Sequence, residues 1–295
     1  MFFLEELPQS AYDWWFRLGL NYPFVCAFAV FAAFAYGACL GSFINVCIWR
    51  MPRRESVVDA PSHCTKCGAH IKWYDNLPVI SYLVLRGRCR VCRAPYSPRY
   101  FIVEVLTGAL FVAILVKTGL TRQEPGAIYF YCVMALLAIG AAWIDAEWRL
   151  IPDALNYPAM VLALSGALAM PAAWGTGIWW RAGMLCLLSG LLPVAGLGLF
   201  SFLGEKLCGR TVLGWGDVKF AGATGMLIGL PGVLFAVTLG ALAGTAYGVA
   251  RALVRREPLS RCTVAFGPFL AGGALVWVFS GNFLLELAVA VLRHG

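Results

Sequence analysis

The chain has 295 residues, of which 61% are hydrophobic and only 13% charged, and its mean hydropathy is +0.76. That composition excludes a water-soluble globular domain of this size and points to a polytopic membrane protein. The formal net charge of +8 would suggest nucleic acid in a soluble protein. Here the placement of the bases is more informative than their number, and no nucleic-acid partner is expected.

Residues 1–22 carry Glu5, Glu6 and Asp13 with Arg17 as the single base, so they lack the basic region of a cleavable signal peptide. Trp14, Trp15 and Phe16 suit an N-terminal interfacial segment instead. Apolar runs follow at Phe24 to Trp49, Phe101 to Val116, Ala127 to Ile144, Tyr157 to Trp174, Ala182 to Leu203, Val218 to Leu230, Val233 to Val249 and Val264 to Phe279. A span needs ~20 apolar residues, so these runs predict about eight transmembrane helices, an all-α membrane fold. Gly229, Pro231 and Gly232 predict a tight hairpin between two of them. The stretch 283–292 reads either as a terminal extension or as an interfacial helix.

Orientation follows from the bases. The segment between the first two spans holds ten Lys and Arg residues from Arg50 to Arg99 and is expected in the cytoplasm. Alternation from there puts Arg149, Lys206, Arg210, Arg251, Arg255, Arg256 and Arg261 on that same side, and the N-terminus outside. Apolarity alone defines the spans, so this agreement supports them independently.

The first span ends around Asn45, a polar residue in an apolar helix that needs a hydrogen-bond partner. Packing through Gly41 and Ser42 is the plainer reading of this stretch. Next comes a soluble insertion, 51–100, with Cys64-Thr65-Lys66-Cys67 and Cys89-Arg90-Val91-Cys92. Each CxxC pair can grip one metal ion from a tight turn, and two pairs make the closed thiolate site of structural zinc. Thiols stay reduced in the cytoplasm, which disfavours disulfides. His63 and His70 flank the first pair and are expected near the metal rather than on it. The other seven cysteines, Cys26, Cys39, Cys47, Cys132, Cys186, Cys208 and Cys262, read as small buried hydrophobes. Glu104 stands where the next helix is expected to begin, near Arg99, and a helix-start ion pair is its ordinary role.

Two further acids stand at the edges of apolar runs. Asp145 closes the run from Ala127, and Asp217 opens the run from Val218 within Gly214-Trp215-Gly216-Asp217-Val218-Lys219. An ionised carboxylate is costly at such depth, so residues of this kind are usually functional. Gly214 and Gly216 have no side chains and tolerate positive φ, so they suit a tight, close-packed entry into the helix that Asp217 opens. Asp145 is preferred to Asp153, which follows Pro152 and suits a helix cap. Lys219 suits a snorkelling cation that raises the positive potential near the acids. Two carboxylates that meet can share a proton and activate a water for amide hydrolysis without a covalent intermediate. The only histidines are His63, His70 and His294, none within a span, which disfavours a Ser-His protease, and no HExxH motif is present. An ion-coupled transporter using these acids, or a zinc-containing scaffold without chemistry, remain the alternatives.

Asp145 with Pro152-Asp153, the Gly214-to-Lys219 stretch, the four-cysteine insertion, Gly41-Ser42-Phe43-Ile44-Asn45 and Phe266-Gly267-Pro268-Phe269 together resemble the bifunctional type IV prepilin peptidases, which are GxGD aspartyl proteases. The resemblance covers nearly the whole chain. It implies an aspartyl endopeptidase in the bacterial inner membrane that cuts the basic leader from type IV prepilins or type II secretion pseudopilins after a glycine at the cytoplasmic face. It also implies N-methylation of the new N-terminal residue with S-adenosylmethionine. Asp145 and Asp217 are then the catalytic pair, with Gly214, Gly216 and Lys219 in support, and Asn45, Arg50, Arg99 and Glu104 are candidates for the methyl-transfer half. The implied organisation is an interfacial segment (1–22), a first span (23–50), a zinc insertion associated with methyl transfer (51–100) and a peptidase core (101–295). The oligomeric state is left open.

Overall fold

The computed structural model describes residues 23–58, 62–121, 123–209, 213–256 and 264–294. They form helices α1 (Pro23–Arg50), α2 (Ile80–Val84), α3 (Pro98–Leu120), α4 (Ala127–Trp148), α5 (Asp153–Ala169), α6 (Trp179–Cys208), α7 (Trp215–Arg255) and α8 (Gly267–His294), with 3-10 turns at Met51–Arg53, Trp73–Asp75 and Pro171–Trp174. No β-strand forms among the described residues. Five helical stretches are long and apolar enough to cross a bilayer: Phe24–Arg53, Pro98–Leu120, Ala127–Trp148, Trp179–Leu207 and Trp215–Arg255. Gly267–Gly281 is a shorter apolar helix. The eight apolar runs of the sequence fall in these helices and α5, two of them in α7.

Large apolar side chains such as Phe24, Phe28 and Phe31 on α1 and Leu191, Leu199 and Phe200 on α6 are exposed. In water such surfaces would aggregate; against lipid tails they carry no penalty. Cys47 and Cys186 are buried as expected, whereas Cys39 is exposed on the apolar surface of α1. Cys262 and residues 1–22 lie outside the described residues.

α7 is one helical run only nominally. Gly229 has φ 76° and ψ 168°, a conformation open only to glycine, and Pro231 follows it. A Cβ on Gly225 would lie 3.3 Å from Val233 Cγ1. Eight residues of continuous helix span ~12 Å, so the chain turns sharply back on itself here. At the far end, 283–292 continues α8 rather than forming a separate element.

The chain divides into two compact units, one ending at Arg122 and one running from Gln123 onward. The division comes after α3, because α1 and α3 interlock. A Cβ on Gly37 would lie 2.9 Å from Phe111 Cγ, one on Gly41 2.9 Å from Thr107 Oγ1, and one on Gly108 2.9 Å from Phe34. Gly37 and Gly41 form a GxxxG pair, the spacing that lets two helix backbones approach within a membrane. In the second unit α4 is central, with Met134, Ala135, Ala138, Ala141 and Ile144 all buried. α6 and α7 cross closely at Gly225, where any side chain would strike the Ser189 carbonyl.

Candidate functional site

The second unit brings together the two acids that the sequence sets 72 positions apart. Asp145 sits in the last turn of α4, which ends at Arg149 in the left-handed conformation. Asp217 sits in the first turn of α7. They lie close enough for the charge of Asp145 to act on Asp217. Asp145 is 6% exposed, and its Oδ2 accepts a 2.8 Å hydrogen bond from the Gly267 N–H at the start of α8. The unpaired N–H groups and the dipole of a helix start favour a carboxylate there. Asp217 Oδ1 is buried with no hydrogen-bond partner in the protein. One carboxylate is therefore fixed by a helix terminus, and the other keeps an oxygen available.

The glycines of this site act through space rather than through unusual dihedrals. Gly214 has φ −70° and ψ 141°, and Gly216 is not among the positive-φ residues. A Cβ on Gly214 would lie 3.1 Å from Asp217 Oδ2, and one on Gly216 3.1 Å from the Ile151 carbonyl oxygen. Gly216 thus lets α7 dock on the Ile151-Pro152 turn that follows Asp145. Gly267 is the partner that sequence reasoning left out of the site. Its signal was Phe266-Gly267-Pro268-Phe269, a glycine followed by a proline suited to the first turn of a helix.

Asp153 does not cap α5, and its direct partner is Lys219. Pro152 occupies the cap position of α5 and Asp153 is the first helical residue, making no side-chain cap. Lys219 Nζ contacts both oxygens of Asp153, at 2.8 and 2.7 Å, and lies 5.4 Å from the Tyr157 ring centroid. The pair is solvent-accessible and ties α5 to α7 beside the acids. Further into α5, Asn156 is fully buried with both Nδ2 and Oδ1 unpaired.

In the first unit the four insertion cysteines converge, with all Sγ atoms within 4.8 Å of one another. Cys64 Sγ and Cys92 Sγ lie 3.8 Å apart, which matches the about 3.8 Å edge of a tetrahedron of thiolates at 2.3 Å from zinc. The two loops are equivalent. Cys64 N–H bonds to Ala69 O and Cys89 N–H to Ala94 O, each at 2.9 Å. Gly68 and Arg93, each four residues after its loop's first cysteine, have φ 70° and 58°. His63 pairs with His70 in one bridge, as Arg88 does with Pro95 in the other, so both histidines flank the sulfur cluster. The N–H groups of Cys92 and Val91 pull the Cys89 thiol down to about 6, and that of Cys67 lowers Cys64. Arg90 grips Asp75 through two bonds of 2.6 and 2.7 Å, fastening the second loop to the 3-10 turn.

A cavity of about 580 Å³ adjoins this cluster, and Asn45, Arg50, Arg99 and Glu104 all line it, together with Trp49 and Tyr82. Its size lies within the ~300–1,000 Å³ of small-molecule sites. Thr65 and Tyr96 contribute wall from the two cysteine loops. Asn45 donates from Nδ2 to Tyr100 O at 3.0 Å, and Arg50 donates to Ser56 O at 3.0 Å. Glu104 is not at a helix start. α3 begins at Pro98 with Ser97 as its cap, which leaves Glu104 nearly two turns inside, where its Oε2 accepts the Val79 N–H at 2.8 Å.

The model of the bacterial peptidase A24 N-terminal domain matches residues 35–118, and that of the type IV leader peptidase family matches residues 132–249. The chain is 37% identical to a prepilin leader peptidase/N-methyltransferase of Myxococcus xanthus over 74% of its own length and 62% of the relative's. It is 31% identical to a protein of that name from Xanthomonas campestris, over 97% of both chains. One from Neisseria gonorrhoeae is 30% identical over 86% of this chain and 91% of the relative. No solved structure matches the chain.

Proposed function

Because the chain belongs to the type IV leader peptidase family, we propose that it is a membrane-embedded aspartyl endopeptidase that removes the leader of type IV prepilins or type II secretion pseudopilins. It then N-methylates the new N-terminal residue. The observation that carries the first activity is the pair of interacting carboxylates at adjoining helix ends, Asp145 tied to Gly267 N–H and Asp217 with a free buried oxygen. Two such acids cannot both ionise cheaply, so the pair holds one proton. The ionised member takes a proton from a water held between them as that water attacks the scissile carbonyl carbon, and the protonated member gives its proton to the carbonyl oxygen. Collapse of the tetrahedral intermediate returns a proton to the leaving nitrogen.

Cleavage follows a glycine, as the family resemblance implies, and its place at the cytoplasmic face of the inner membrane is supported by the run of bases between α1 and α3 and by the position of both acids at helix ends. A substrate with a basic leader in the cytoplasm and an apolar helix in the bilayer presents its scissile bond at that depth. The first unit is assigned to methyl transfer and the second to proteolysis. Zinc is the metal best suited to Cys64, Cys67, Cys89 and Cys92, as a closed structural site. S-adenosylmethionine, whose sulfonium supplies an electrophilic methyl group, is assigned to the cavity lined by Asn45, Arg50, Arg99 and Glu104.

Mass spectrometry of a prepilin co-expressed with this chain tests both activities, since leader loss and a 14-dalton gain, about the mass of one CH₂ added on methylation, are independent. Loss of the leader in the presence of the wild-type chain, and its retention with Asp145→Asn or Asp217→Asn, is the expected result. An intact prepilin with the wild-type chain would remove the protease assignment.

A further inference from the structure

Two residues that line the cavity of the first unit, Asn45 and Glu104, carry acceptors of different charge. Asn45 is 1% exposed, and with Nδ2 committed to Tyr100 O its Oδ1 is left buried and without a partner. An orphaned buried acceptor is a rare and costly feature, and it calls for a donor. Glu104, 7% exposed, lines the same space. Its direct partners are the Val79 N–H and the Ser42 hydroxyl. Both are neutral, so neither is a counter-ion to the carboxylate, although Arg50 and Arg99 line the same cavity.

The Val79 contact is itself unusual. Val79 has φ 64° and ψ −53°, and Ile80 N–H bonds to Pro78 O at 2.6 Å. That is a γ-turn of the rare positive-φ kind, held by a β-branched residue that strongly disfavours it. Backbone strain of this sort costs of order 1–3 kcal/mol and persists at functional sites. Here it buys one thing, an N–H aimed at Glu104. On the helix side, Gly41 lets α1 come close to Glu104: its Cβ would lie 3.0 Å from the Glu104 Cα. Both backbone devices serve one buried acid.

We propose that Glu104 and Asn45 Oδ1 form the binding site of a primary ammonium group. An ammonium offers several N–H donors and one positive charge, which answers an orphaned neutral acceptor and a carboxylate without a bonded cation together. An anionic or purely apolar ligand answers neither. The site rests on the methyl-transfer reading, within which two ligands carry this group: the methyl donor, through its α-ammonium, and the cleaved peptide, through its new N-terminus. In the second case Glu104 also accepts the amine's proton. The nitrogen lone pair then attacks the donor's methyl carbon, and the carbon–sulfur bond pair returns to sulfur as a neutral thioether.

The test uses the full-length zinc-loaded protein in nanodiscs and two matched ligand pairs. One pair is a peptide with the N-terminus of a cleaved prepilin and its N-acetyl analogue; the other is S-adenosylhomocysteine and its deaminated analogue. In at least one pair, loss of the amine is expected to weaken binding by about 10- to 100-fold in the wild type. Glu104→Gln, which keeps an acceptor for Val79, is expected to bind both members of that pair nearly equally. Asn45→Ala, which leaves the Val79 contact intact, is expected to show a partial loss of discrimination, and melting temperature and zinc content verify the fold of both. The pair that discriminates identifies the source of the ammonium. No discrimination by the wild type in either pair, or discrimination that survives both substitutions, overturns the site while methyl transfer by the wild type stands. A wild type that neither methylates the peptide nor binds S-adenosylhomocysteine overturns the methyl-transfer reading, and the site with it.

Discussion

Gly267→Ala is the sharpest probe of the acid pair, because it adds one methyl group and removes no polar atom. Its Cβ would lie 2.8 Å from Asp145 Oδ2, 3.0 Å from Asp145 Cβ and 3.1 Å from Asp145 Cγ. Carbon atoms in contact settle at about 3.5–4.0 Å, so Asp145 or the start of α8 has to retreat by roughly 0.5–1 Å. Gly267 is not among the residues with positive φ, so the backbone accepts alanine and the effect is steric. Overpacking of this kind costs about 1–3 kcal/mol, and a displacement of about 1 Å at a reacting group costs about 100-fold in rate. The expected outcome is a 10- to 100-fold fall in kcat for leader cleavage, with KM little changed. Gly214→Ala is the internal control. Its Cβ would meet only Asp217 Oδ2, at 3.1 Å, the movable end of a side chain, so its loss is expected to stay within about tenfold. The assay is cleavage of a prepilin peptide by purified protein in detergent, quantified by mass spectrometry. Cleavage by Gly267→Ala at the wild-type rate, or a larger defect in Gly214→Ala, would refute the reasoning.

Asp145→Asn and Asp217→Asn should each lower cleavage by about 10³-fold or more while membrane insertion is retained, as expected when one half of an acid–base pair is lost. Asp153→Asn should retain cleavage within a few-fold and change stability by less than about 1 kcal/mol, since its partner Lys219 is a solvent-accessible cation; inactivity comparable to Asp145→Asn would move the catalytic role to Asp153. Metal analysis should find one zinc per chain, and Cys64→Ser or Cys89→Ser should lower methylation before it lowers leader cleavage, because the cysteine loops form part of the cavity wall. Equal loss of both activities would contradict the assignment of methyl transfer to the first unit. Gly41→Leu should separate α1 from α3 and abolish S-adenosylhomocysteine binding in a titration, since even a Cβ there meets Thr107 and Glu104.

Much of this protein is written in short-range patterns. The apolar runs located the helices, because every backbone group in a bilayer has to be satisfied within its own segment, which makes hydropathy nearly sufficient there. The two CxxC pairs marked the four sulfurs that converge, since two thiolates three positions apart can reach one ion from a single tight turn whatever the rest of the fold does. Asp145 and Asp217 stood out for a similar reason: a charge at the edge of an apolar run is conspicuous in one dimension.

What the linear pattern left open was decided by contacts between distant segments. Nothing in the linear pattern named the direct partner of Lys219, which is Asp153, because its place depends on how α5 and α7 lie together. Gly214 and Gly216 are expected to allow close packing, but only the fold shows that their dihedrals are ordinary and that the room they leave is taken by Asp217 and Ile151. The role of Gly267 depends on the start of α8 meeting the end of α4, 122 positions away in the chain. Asn45, Arg50, Arg99 and Glu104 surround one cavity only because Gly37 and Gly41 on α1 and Gly108 on α3 let two helices close to backbone contact. Residue type and spacing set which groups need partners; the packing of helices, through the few places where a missing Cβ permits approach, chose which partners they found.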